Sequence, residues 1–386
     1  MKTKNLLILA ALVVILLVVY KLQQPGRESS HSSSLSQCLL PEDFDSTKIS
    51  TVSIRQGERS VTLQRQGDTW VVKERYDYPA DASSLKTLLL DLCDTRIAQD
   101  LTLTDSQKAE LALTDDALTT LTLLDKDGKE IATLGFGRKH EQERSDDMPQ
   151  NPFLMGQGGN QSIPLGRYIR LADGRCVAGA NTFSRIDEQP VDWLDKEFLK
   201  IPELASASLT DGDGNLLWTA SRADKNADFA LQNLATPEGK QVNTGKLATL
   251  KNAFGWMRFT DVADPKATPD TTGLLKPYSL LLQDFDGLNY TFSFGPQQDG
   301  KQFLRLNIAW NGATARTAPE NESPEEKAKA DEAFAKKVQE SQQKAQDLQK
   351  RYSSWIFQMP ASTLANIPLQ ADGFFQDVPK PKEEQK

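Results

Sequence analysis

The nearest approach to a metal site in this chain is Asp211-Gly212-Asp213-Gly214-Asn215, with oxygen donors at the alternate positions that open a calcium loop. The glycine that must come next is Leu216, and the twelfth position, where a bidentate carboxylate belongs, is Arg222. The segment therefore reads as a hairpin turn, as do Asp125-Lys126-Asp127-Gly128 and Asp284-Phe285-Asp286-Gly287. His31 and His140 are the two histidines, and neither has ligand-type neighbours, which argues against a His-based metal centre or triad. Gly156-Gln157-Gly158-Gly159 has no helix after it to receive a phosphate. The carboxylate pairs Asp115-Asp116 and Asp146-Asp147 could supply an acid and a base, but they read as solvated acidic surface. The expectation is a chain that is not an enzyme, with no catalytic residue, metal or cofactor.

Two other sets of residues point to binding. Phe334, Val338, Ala345, Leu348, Tyr352 and Trp355 fall on a heptad seam, with Ser341 at the missing step, inside a helix of Lys, Glu, Gln and Ala. The seam has two readings: a face laid on the chain's own sheet, or an arm whose Phe334, Val338, Leu348 and Tyr352 meet a partner. Arg96 and Arg258 each stand 15 residues after a helix-capping residue, Asp81 and Asn243. They pair within their own units or make a symmetric contact with a ligand or partner.

The elements around these residues are written twice. Ile49 to Arg55, Ser60 to Gln66 and Thr69 to Lys73 alternate as half-buried strands, and a helix with Leu85, Leu88, Leu89 and Leu92 follows. The order recurs from Ala207, with Phe229 in the place of Trp70 and a second helix start at Asn243. The copies differ in their inserts. Residues 139–166 interrupt the first, and residues 311–352 interrupt the second, where Ser323-Pro324-Glu325-Glu326 begins a helix with a capping box. The expected fold is α+β: an N-terminal transmembrane helix, then two tandem, internally duplicated domains of antiparallel sheet plus helix. Their boundaries are a signal anchor at 1–22, a polar tether at 23–44, repeats at 45–200 and 201–372, and a charged tail at 373–386.

Leu6 to Tyr20 is an unbroken apolar run with Lys2 and Lys4 before it and Lys21 after. Fifteen helical residues span about 22 Å of a hydrocarbon core about 30 Å thick, and snorkelling lysines can extend the reach. A cleaved signal peptide is the competing reading, but Tyr20-Lys21-Leu22-Gln23-Gln24-Pro25-Gly26 contains no small-x-small site. Residues 5–22 are thus expected to cross a membrane once, with the N-terminus cytoplasmic and everything after residue 22 on the outer side. At 386 residues and a net charge of −8, the chain has room for two cores and lacks the basic surface that a nucleic-acid partner needs.

The strand containing Trp70-Val71-Val72, the helix start Pro79-Ala80-Asp81, Tyr168-Ile169-Arg170-Leu171 and Asp192-Trp193-Leu194-Asp195-Lys196 resemble the bacterial family catalogued as domain of unknown function 4340. The resemblance implies an accessory envelope component, since such proteins are often encoded beside the ATPase and permease of gliding-motility-type ABC transporters. In a bacterial family the membrane crossed by residues 5–22 is the inner membrane, and the bulk of the chain is periplasmic. The family carries no established active-site residues. The long charged helix at 323–352 departs from its pattern. The functional expectation is a non-enzymatic, membrane-anchored periplasmic accessory or scaffold of an ABC-type transport or envelope complex. The alternatives are a periplasmic glycan- or lipid-binding module and, less supported, a carboxylate-dependent hydrolase.

Overall fold

Side-chain alternation decides most of the backbone. The computed structural model describes residues 37–378, apart from 42–43, 143–162, 202, 233, 256, 299, 320, 361 and 366. Its first elements are β1 (Thr51–Gln56), β2 (Arg59–Gln66), β3 (Thr69–Val72), β4 (Tyr78–Pro79), α1 (Ala82–Asp94) and β5 (Ile97–Leu101). Then come α2 (Asp105–Glu110), β6 (Thr119–Leu124), β7 (Glu130–Gln142), β8 (Ile163–Leu171) and β9 (Cys176–Gly179). Val52 and Ile54 of β1 face inward opposite Leu123 and Leu121 of β6, and all four are buried. Helix α1 turns Leu85, Leu88 and Leu92 into the core at steps of three and four. At the end of α2, a Cβ on Gly137 would lie 2.4 Å from the Leu111 carbonyl oxygen, so this approach to β7 requires glycine.

The second series is β10 (Leu204–Thr210), β11 (Leu216–Ser221), β12 (Ala230–Gln232), β13 (Lys240–Val242), α3 (Thr244–Thr249) and β14 (Asp261–Ala263). It continues with α4 (Pro269–Thr272), β15 (Tyr278–Asp284), β16 (Leu288–Phe294), β17 (Lys301–Trp310), α5 (Pro324–Tyr352), β18 (Ile356–Pro360) and β19 (Phe375–Asp377). Aspartates shape the tight turns. Asp211 Oδ1 accepts from the backbone N–H groups of Asp213 and Asn215. Asp125 and Asp284 do the same for their own turns.

The strands form three antiparallel sheets. One runs β4-β3-β2-β1-β6-β7-β8-β9-β5, the second runs β12-β11-β10-β15-β16-β17-β18-β14, and β13 pairs with β19. From β3 onward in the first sheet, the two long orders correspond strand for strand. In each, the opening strand lies between its hairpin partner and a four-strand meander, and the strand after the helix closes the far edge.

The chain groups into two compact units: residues up to Ser60 with Ser83–Glu188, and Val61–Ala82 with Gln189–Lys386. Within the second unit, Tyr78 of β4 packs edge-on against Phe259 at 5.5 Å and Trp355 at 4.9 Å, and Phe357 joins the cluster. Its backbone neighbours are tied to the 193–195 segment: Asp81 N donates to Trp193 O and Asp195 N to Pro79 O. Phe374 is buried against Trp218, and the strand that follows it, β19, pairs with β13.

The α+β expectation is corrected. The described residues are mostly β, with three antiparallel sheets and five α-helices, of which α2, α3 and α4 have six residues or fewer. A capping residue starts a helix, but packing of an amphipathic face must extend it. Asn243 accepts from Lys246 N as a cap should, yet α3 buries only Leu247 and ends at Thr249. The expected membrane-spanning residues 5–22 lie outside the described residues, as do most of the 139–166 insert and residues 379–386. Among the described residues no helix is long and apolar enough to cross a membrane.

Candidate functional site

Helix α5 is the one long helix among the described residues of the second unit, 29 residues or about 43 Å. The Ser323 hydroxyl accepts from Glu326 N, and the Glu326 carboxylate accepts from Ser323 N at 3.1 Å and from its hydroxyl at 2.6 Å. Those bonds hold the Glu326 carboxyl below its usual range. Lys350 and Arg351 in the last turn complement the carbonyl end of the dipole. Arg316 fastens the incoming segment to the helix. Its guanidinium donates to Asp331 Oδ1 at 2.7 Å, to the Glu322 carboxylate and to Lys327 O.

Burial rises along the seam. Phe334 and Val338 are half-buried, Ser341 and Ala345 are buried, Leu348 is half-buried and Tyr352 is buried. The helix packs along β17. There β18 pairs only with Lys301–Leu304, and Gln349 reaches the same strand further on. Gln349 Oε1 accepts the Ile308 N–H at 2.5 Å, and its Nε2 donates to Asn307 Oδ1 at 2.8 Å. One turn below, Tyr352 lies 5.4 Å from Phe198, and Arg351 donates to Asp195 at 2.9 Å. The seam thus lies on the chain's own sheet, and Tyr352 sits inside the second unit.

The N-terminal third of α5 differs. Residues 324–333 bury no side chain, and Glu325, Lys327, Lys329 and Glu332 stand exposed. Between the two parts is a cleft of about 360 Å³ lined by Asp286, Trp310, Phe334, Lys337 and Val338, among others. Lys337 pairs with Asp286 at 2.7 Å, and this hydrogen bond draws the Asp286 carboxyl below its usual range. Trp310 Nε1 donates to Asp286 O at 3.0 Å. Beneath them, Asp284 Oδ2 accepts from the Tyr290 hydroxyl at 2.9 Å, and burial raises the Tyr290 pKa. The Asp286–Lys337 pair is an ionic clamp on the helix. An acid kept this strong is a weak proton donor at neutral pH.

Arg96 and Arg258 are exposed side chains, the first in the first unit and the second in the second. Arg96 lies one residue before β5 and bridges Cys38 through the backbone. Sequence reasoning missed Lys337, Asp286, Trp310, Gln349 and Arg316. Gln349 stands three residues before Tyr352 and four after Ala345, beside the seam, and that position was the available signal.

Among the described residues, a mostly-β architecture bearing one long, partly exposed helix is the class that this arrangement defines. The family model described as domain of unknown function (DUF4340) matches residues 70–277, more than half of the chain, and the chain belongs to that family. Helix α5 lies beyond the matched residues. No curated protein and no solved structure matches the chain.

Proposed function

We propose that this protein is a non-enzymatic, membrane-held accessory or scaffold component of an ABC-type transport or envelope complex, with its bulk on the periplasmic side. The observation that carries the reading is the division of α5. Its C-terminal half is built into the second unit through Ala345, Gln349 and Tyr352, while residues 324–333 are capped, clamped by Arg316 and bury nothing of their own. A helix held this firmly, with an exposed end of mixed charge, presents a pre-ordered docking surface and loses little conformational freedom on binding. The apolar run Leu6–Tyr20 supports attachment to the inner membrane. The resemblance to proteins encoded beside ABC transporter subunits supports a permease and its ATPase as partners.

The test is crosslinking of the full chain in its native membrane, followed by purification and identification of what travels with it. Recovery of a permease and ATPase is expected. A variant with Lys327, Lys329 and Glu332 reversed in charge should recover about tenfold less, the loss of roughly 1.4 kcal/mol of rim electrostatics. A protein that returns without transporter subunits overturns the proposal. Equal recovery by the reversed variant removes α5 from the interface.

A further inference from the structure

The first unit contains a pocket of about 500 Å³, within the range of small-molecule sites. Leu39, Leu40, Ile97, Ile131, Leu134 and Leu171 line it, and Leu39, Leu40, Ile97 and Leu134 are each 6 % exposed or less. One wall is the segment Gln37–Pro41, held to the edge of the sheet by Leu39 N donating to Thr95 O at 2.9 Å and Ile97 N donating to Gln37 O at 3.0 Å. The rim is polar, and its arginine is fully paired. The Arg175 guanidinium donates to Asp173 at 2.8 Å and to Asp100 at 3.4 Å, so it offers no uncompensated positive charge to an anion. The pocket is therefore selective for an apolar body and offers no dedicated site for an anionic group at its mouth.

We infer that this pocket takes up the hydrocarbon chain of a membrane lipid. The inference rests on the membrane-held reading above. Its wall begins at Gln37, and residues 21–36, which separate it from the apolar run ending at Tyr20, are sixteen. Sixteen residues reach at most about 55 Å even when fully extended. Bilayer lipid is thus the apolar ligand held at high local concentration beside the pocket. A chain that leaves the bilayer for the pocket exchanges one apolar surrounding for another, while its headgroup stays in water beside Asp173 and Arg175.

The full chain, reconstituted in phosphatidylcholine vesicles containing a phosphatidylcholine with a photoactivatable acyl chain, is irradiated, digested and mapped by mass spectrometry. Adducts are expected on the peptides containing Leu39–Pro41 and Ile131–Leu134, besides those on residues 6–20. Ala172→Trp, at the exposed turn of the rim, should lower the pocket adducts about tenfold, the equivalent of roughly two buried methylenes, with labelling of residues 6–20 unchanged. Ala132→Phe, which fills the pocket from β7, provides the same readout if the first variant melts early. Labelling confined to residues 6–20, or pocket adducts that neither variant lowers, overturns the lipid site and leaves the membrane reading standing. A protein that fails to float with the vesicles overturns both.

Discussion

The side chain of Gln349 occupies the place of a strand beside Ile308. Its Oε1 accepts the Ile308 N–H at 2.5 Å, while Nε2 binds Asn307 Oδ1 on the same strand. An uncovered strand edge is a template for mispairing, and here a helix covers it with one amide. Gln349→Ala leaves the Ile308 N–H without that acceptor, at an expected cost of about 1–3 kcal/mol. Gln349→Glu keeps the acceptor and loses the bond to Asn307, so it should cost less. Urea unfolding of both variants checks the order; equal losses would assign the effect to helix packing rather than to the strand bond.

The exposed third of α5 depends on local devices, because residues 324–333 bury no side chain. Ser323→Ala removes the hydroxyl that accepts from Glu326 N and donates to its carboxylate, leaving only the backbone half of the capping box, for about 1 kcal/mol of helix stability. The loss should appear as faster amide exchange over residues 327–333, with the amides near Ala345 unchanged. Equal acceleration at both places would show that the helix opens only as a whole.

Asp286 and Lys337 give a pH signature. The hydrogen bond from Lys337 lowers the Asp286 pKa in the folded state, so the pair contributes stability above the ordinary carboxylate value of about 3.9. That contribution is lost as pH falls through the lowered folded value. The Tm gap between the wild type and Asp286→Asn should be constant above about pH 5 and close toward about pH 2. It should be small and shrink with salt, since both side chains are more than a third exposed. A gap that persists in acid would trace to the geometry of Asn rather than to charge.

What could be read from the sequence was local. The aspartate turns at Asp125, Asp211 and Asp284 follow from a carboxylate accepting backbone N–H groups two and four residues ahead, and the Ser323–Glu326 box marks a helix start. The heptad seam of α5 was legible as a stripe, but its partner was not, since the edge of β17 that it covers is set by where β18 stops pairing. The cap at Asn243 misled the expectation of a second long helix. Asn243 caps as its chemistry predicts, yet it opens a helix of six residues. Tyr78 lay beyond local reasoning altogether, because its ring neighbours Phe259 and Trp355 are far along the chain.

Gly312 and Trp310 supply the sharpest test of the α5 cleft. A Cβ built on Gly312 would stand 2.7 Å from the indole Cζ2 of Trp310 and 2.9 Å from its Nε1. The ring is held in place by its bond to Asp286 O, so it cannot yield without losing that acceptor. Gly312→Ala should therefore cost about 1–3 kcal/mol, as over-packing does, and shift Trp310 emission by moving the indole. Gly287 reinforces the constraint: its φ is +83°, and a Cβ there would lie 2.4 Å from the Gly312 Cα. Pairing Gly312→Ala with Trp310→Phe removes the part of the ring that clashes. The double variant should then fall short of the sum of the two single losses by about 1 kcal/mol or more, a coupling typical of residues in contact. Additive losses would mean that the β17 end adjusts around a methyl group, and the cleft beside Asp286 would not be rigid.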